Sequence, residues 1–158
     1  MDNAKPIFLK QEFIPLIQQI PPDRKPAWGL MNLQQMVEHM QAAVDLASGK
    51  IKYEGDFVSP DPARMRAFLM SDKPFRENTG NPFLPQEPQP TRHHTLQASI
   101  GELQASLLHF FDTFESEPGK KVFSPIFGEL DYEGQTRLLH KHALHHLRQF
   151  GVAPLQRD

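Results

Sequence analysis

Leu138-Leu139-His140-Lys141-His142-Ala143-Leu144-His145-His146-Leu147-Arg148-Gln149-Phe150 carries four of the chain's eight histidines. Its reading decides the fold. Asp131 upstream suits a helix N-cap and Gly151 follows the last turn, so the stretch is expected to form the end of a helix. At 100° per residue, His142 and His146 fall four apart on one face, where two imidazoles can grip one metal ion. They flank the inward direction, with Leu138, Leu139, His145 and Gln149 close by; His140 points away.

Working outward, the clearest partner is a second helix opened by Asn32, with Gln35 completing a capping box. Leu33, Met36, Val37, Met40, Ala43, Val44 and Ala47 recur at three-four spacing before Gly49, which suits the C-terminal cap. His39 falls at the edge of that stripe, beside Met36 and Ala43. A third helix is expected from about Thr95 to Phe114, with Ile100, Leu103, Leu107, Phe110, Phe111 and Phe114 on one face and His109 on the solvent side. A first helix runs roughly from Gln11 to Ile20; Pro15 makes it start late or kink, and Pro21-Pro22 ends it. Between the second and third helices lies a long connection, about Ile51 to His94. It holds a short helical candidate at Pro62–Met70, capped by Asp61, and a proline-rich run from Pro82 to Pro90 read as carrying the chain across the molecule. His93 and His94 in this connection read as solvated surface. The expected fold is all-α: a four-helix bundle with one long crossover, which builds metal sites from facing helices.

Bulk properties narrow the function. At 158 residues the chain is expected to form one domain spanning residues 1–158, long enough to bury a core unaided. A formal charge of -2 without long like-charge runs points away from nucleic acid and anionic membranes. The absence of cysteine excludes disulfides, thiolate zinc sites and a thiol nucleophile of the protein's own. Met1-Asp2-Asn3-Ala4-Lys5-Pro6 does not read as a signal segment, and no apolar run reaches spanning length, so a cytoplasmic protein is expected.

Three neutral imidazoles leave a dication uncompensated and coordination positions open, the pattern of catalytic sites. Water on such an ion falls from a pKa of about 15.7 to about 7, and a bound thiol is held as thiolate. Zinc fits the donor set; nickel, iron and manganese fit it as well. Against this stands packing, the commoner role for a single histidine beside an apolar stripe, as His39 is. His145 reads as packing around the site rather than as a ligand. The absence of His-Glu-x-x-His disfavours zincin-type proteolysis, and the absence of Glu-x-x-His disfavours a di-iron centre. No nucleophile elbow or phosphate loop is present.

With these residues laid out, the chain resembles the DinB-like superfamily of four-helix-bundle metalloproteins. The matching elements are Trp28-Gly29-Leu30-Met31-Asn32-Leu33-Gln34-Gln35-Met36-Val37-Glu38-His39, Ser124-Pro125-Ile126-Phe127-Gly128-Glu129-Leu130, and Lys141 to Gly151; Lys73-Pro74-Phe75 adds a little. The resemblance implies that His39, His142 and His146 hold the metal. Relatives include thiol-dependent transferases and isomerases that use bacillithiol or mycothiol. Many carry Arg-Gly-Gln after the His-His pair where this chain reads Leu147-Arg148-Gln149, so a shared substrate pocket is not implied.

The expected function is a metal-dependent S-transferase or isomerase acting on a small-molecule substrate, with a low-molecular-weight thiol as co-substrate. The long connection or Ser124–Leu130 would shape the substrate side, and Trp28 would wall the site or pack against the bundle. Tyr132 or Glu133 would assist proton transfer or simply cap and solvate. Homodimerisation through a bundle face is implied by the family alone. Two rivals stand: a metal-stabilised bundle that binds a small molecule or partner without catalysis, and a metal-dependent hydrolase.

Overall fold

Short polar caps set the helix boundaries. The computed structural model describes residues 3–77 and 87–153; Pro82–Gln86, within the proline-rich run, lie outside the described residues. Asn32 opens α3 (Leu33–Ser48): its side chain accepts from Gln35 N at 2.8 Å while Gln35 Oε1 accepts from Asn32 N at 2.9 Å. Gly49, at φ 80, closes it in the left-handed conformation that a side chain would strain. Asp61 caps α4 (Pro62–Met70), Thr95 caps α5 (Leu96–Ser116) and Asp131 caps α6 (Tyr132–Gln149), each accepting from the amide three residues on. Such a cap contributes about 1 kcal/mol, because it pairs an amide the helix leaves open.

The first helical stretch differs from expectation. It begins at Ala4, not near Gln11, and runs as α1 (Ala4–Ile7), a π-helical segment (Phe8–Glu12) and α2 (Phe13–Gln18). Pro15 has no N–H for the Gln11 carbonyl and its ring crowds that oxygen. The widened turn falls just before the proline, which lets the chain stay helical through it. The upstream turns bury Phe8 and Leu9, and α2 adds Phe13, Ile14 and Ile17.

The chain is mostly helical rather than purely so. The segment after α5 forms an antiparallel hairpin of β1 (Val122–Ser124) and β2 (Gly128–Leu130), with Val122 opposite Leu130 and Ser124 opposite Gly128. Ser124 Oγ organises its turn by accepting from Ile126 N and Phe127 N at 3.3 and 3.2 Å.

One main core joins the first helical stretch, α3, α5 and α6, with Phe13, Leu33, Met36, Met40, Leu103, Phe110, Leu139 and Phe150 buried in it. Among these elements α3 packs most extensively on α5 and also meets α6. A second, smaller cluster of Leu69, Phe127 and Leu130 ties α4 and the hairpin to α6, with Phe75 and Leu138 packed against it. Among the described residues no helix is long and apolar enough to cross a membrane.

Candidate metal centre

His39 lies midway along α3, and His142 and His146 lie one turn apart near the end of α6. Where the two helices meet, the three imidazoles converge. His142 Nε2 stands 3.0 Å from His39 Nε2 and 2.9 Å from His146 Nε2. One nitrogen of each residue lies within 4.8 Å of the others, and among the described residues no fourth histidine or carboxylate joins them.

A neighbouring amide fixes the tautomer of His146. Gln149, three residues beyond His146 on the same helix face, donates its Nε2 to the Trp28 carbonyl at 2.9 Å. That leaves Gln149 Oε1 facing His146 Nδ1 at 2.8 Å. An amide oxygen only accepts, so Nδ1 carries the hydrogen and Nε2 keeps its lone pair toward the centre. The same arrangement orients metal-bound histidines generally. The loop before α3 closes over this end of α6: Arg24 Nη1 donates to the Phe150 carbonyl at 3.0 Å and Ala27 N to the Gln149 carbonyl at 2.7 Å. Gly29, at φ 78, then lets the backbone pass so near that a Cβ would lie 3.1 Å from Gln149 Nε2.

Burial keeps the cluster neutral. Desolvation, aided by His145, lowers the pKa of His39 to about 4. Desolvation and the neighbouring imidazoles hold His142 well below the usual value, and desolvation with the nearby His39 does the same for His146. Neutral imidazole is the ligand form. One hydrogen on His142 Nε2 cannot lie along both nitrogen–nitrogen lines, so hydrogen bonding within the cluster satisfies at most one of the two contacts. The donor set fits a divalent transition ion. At zinc–nitrogen lengths of about 2.0–2.1 Å tetrahedral ligands stand about 3.3 Å apart, a few tenths of an ångström wider than the two contacts here.

The surrounding wall is aromatic. His145 packs 5.4 Å from Trp28 and 5.1 Å from His146, ring centre to ring centre, and makes no approach to the centre like that of the three. Its own pKa is lowered to about 4, first by burial and then by Arg148. Phe75 stands perpendicular to both His142 and His145, at 6.1 and 5.9 Å. Phe75 of the long connection therefore lies against two of these histidines, and Trp28 supplies both a ring against His145 and a carbonyl to Gln149.

Other expectations are corrected. Tyr132 is ten residues before His142, about 15 Å along the helix, and its ring packs on Phe110 and Phe114. Glu133 pairs with Arg137 at 3.5 Å. Neither reaches the imidazoles. The Ser124–Leu130 segment buttresses α4 and α6, and Phe75 packs against the same cluster. His93 is not free surface: it is half-buried and hydrogen-bonded to Glu102. His140 packs edge-on against Phe8 at 5.3 Å, and His109 is exposed as expected.

Glu38 and Lys141 were not legible beforehand. Glu38, beside His39, is buried and takes hydrogen bonds from Arg92 N at 2.7 Å, Ser99 Oγ at 2.8 Å, His93 N at 3.3 Å and Gln34 Nε2 at 3.4 Å. Burial pushes its pKa up, but these donors outweigh it and leave the pKa lowered. The only advance sign was a carboxylate next to the apolar stripe. Two surface hollows of about 190 and 250 Å³ lie elsewhere, and no histidine lines either.

No protein family, curated protein or solved structure was found to match the chain.

Proposed function

We propose that His39, His142 and His146 bind one divalent transition-metal ion in a DinB-like four-helix bundle. The chain would then be a metal-dependent enzyme of the thiol-dependent S-transferase or isomerase kind, acting on a small molecule. One observation carries the reading: three neutral imidazoles from two helices face one another with one proton at most for two contacts, and among the described residues no fourth histidine or carboxylate joins them. Three ligands with an open position are the pattern of catalytic rather than structural sites. The main core shared by the first helical stretch, α3, α5 and α6 supports the bundle, with the crossover between α3 and α5.

When bound, zinc, nickel, iron or manganese would supply Lewis acidity and hold the thiol of a small co-substrate such as bacillithiol or mycothiol as its nucleophilic thiolate. The chain's own residues do the rest. The imidazoles add no charge, so the ion's full charge acts on the bound group. Gln149 fixes the tautomer and tilt of His146, and Phe75, Trp28 and His145 keep bulk water from one side. The lack of cysteine makes the thiol an external one.

Elemental analysis of tag-free wild type beside His39→Ala tests the metal. About one equivalent in wild type, lost in the variant, is expected, and equal content in both would refute the site. Adding a small thiol to cobalt-loaded protein then tests the thiol step. A sulfur-to-cobalt charge-transfer band is expected; its absence leaves a metal-stabilised binding bundle as the better reading.

A further inference from the structure

We propose that Lys141 is a positioning residue that holds Phe75 across the histidines, making Phe75 the barrier to the imidazoles. Lys141 precedes His142 on α6, and its ammonium is directed away from solvent into the turn that follows α4. Its side chain is only 8% exposed. Nζ donates to the Ser71 carbonyl at 3.0 Å and to the Lys73 carbonyl, and lies 4.8 Å from the Phe68 ring centre.

Those two carbonyls are four and two residues before Phe75. Pro74 stands between, with its φ fixed by the ring and Lys73 driven toward extended geometry. Holding the Lys73 carbonyl therefore fixes the direction in which Phe75 leaves the chain. Phe68 braces Phe75 from behind at 5.8 Å, and Phe75 meets His142 and His145 with its ring perpendicular to both. An ammonium hydrogen-bonded to carbonyls is costlier to bury than a methionine of similar volume. What the lysine provides is a fixed strap. Any ion or ligand reaching His142 from this side has to displace Phe75.

The consequence for ligand exchange rests on the metal reading above, but the barrier itself is testable without metal. Diethyl pyrocarbonate would be applied to metal-free wild type, Phe75→Ala, Lys141→Met and the double variant, with modification followed residue by residue by mass spectrometry. Exposed His109 serves as the internal reference. In wild type His142 and His145 should react at least about tenfold more slowly than His109. Each single variant should raise those rates about fivefold or more, and the double variant should add little, since both act through one element. Circular dichroism checks folding, and Lys141→Gln replaces Lys141→Met if the latter loses helicity. Wild-type rates in the Lys141 variant, or additive effects in the double, would overturn the role of Lys141; unchanged rates in Phe75→Ala would overturn the barrier. Zinc uptake by wild type is scored separately, so failure to bind metal would sink that reading while leaving the shielding result to stand or fall alone.

Discussion

Glu38 and His39 are consecutive residues on α3, yet they belong to opposite kinds of polar site. Around Glu38 the protein supplies its own answer to a buried charge: two backbone amides, a serine hydroxyl and a glutamine amide converge on the carboxylate. Around His39 stand two further imidazoles. Its Nε2 faces the Nε2 of His142, which in turn faces that of His146. Buried polar groups are nearly always partnered, so on the reading proposed above a cluster with too few hydrogens is where a cation would bind. The first site is satisfied from within and fastens the end of the crossover to α3; on the proposed reading the second takes its partner from solution.

Acid should separate the two sites most strongly. All three imidazoles and His145 have folded-state pKa values lowered from about 6.5, to about 4 for His39 and His145. The unfolded chain therefore binds more protons than the folded one below pH 6.5, and metal-free protein should lose stability as pH falls from 6.5 toward 4. The slope is about 1.4 kcal/mol per pH unit for each such histidine. Glu38 and Glu102, whose pKa values are lowered from 4.5, enter only at the acid end of that window. Urea melts at half-unit pH steps measure this, and a flat profile from pH 6.5 to 4.5 would show that the histidines are not buried as neutral bases.

Glu38→Ala sharpens the contrast from the first side. It should cost about 2–3 kcal/mol in urea denaturation, because buried amides lose their acceptor. Metal affinity should change little. A variant that keeps its stability but loses metal would mean Glu38 serves His39 rather than the crossover.

Gln149→Leu tests the histidine side more gently. It removes the group that holds His146 Nδ1–H while keeping the three ligands, and should weaken zinc binding about 10- to 100-fold in a chelator competition. Unchanged affinity would mean that His146 is oriented by packing alone.

What the sequence made legible was local. Asn32, Gln35, Gly49, Asp61 and Asp131 announce their helix ends because a cap acts over three or four residues. The His142–His146 pairing was legible for the same reason, since one helical turn relates them. The π-helical segment was only half visible: Pro15 signals a disturbed helix, but the burial of Phe8 and Leu9 decides that it continues upstream. Three-residue strands such as Val122–Ser124 are too short to show a period. The contacts of Glu38 with Arg92 and of Lys141 with Ser71 span 54 and 70 residues, so no pattern along the chain could announce them.

Gly29 has no side chain and ligates nothing, yet it governs an angle at the centre of the molecule. A methyl group there would meet Gln149 Nε2 at 3.1 Å on a backbone whose φ of +78 already disfavours it. The displaced amide would release the Trp28 carbonyl and drag its oxygen away from His146. The ring's tilt is thus inherited from an absence, and alanine, the mildest of replacements on paper, is expected to act at a distance as a chemical lesion.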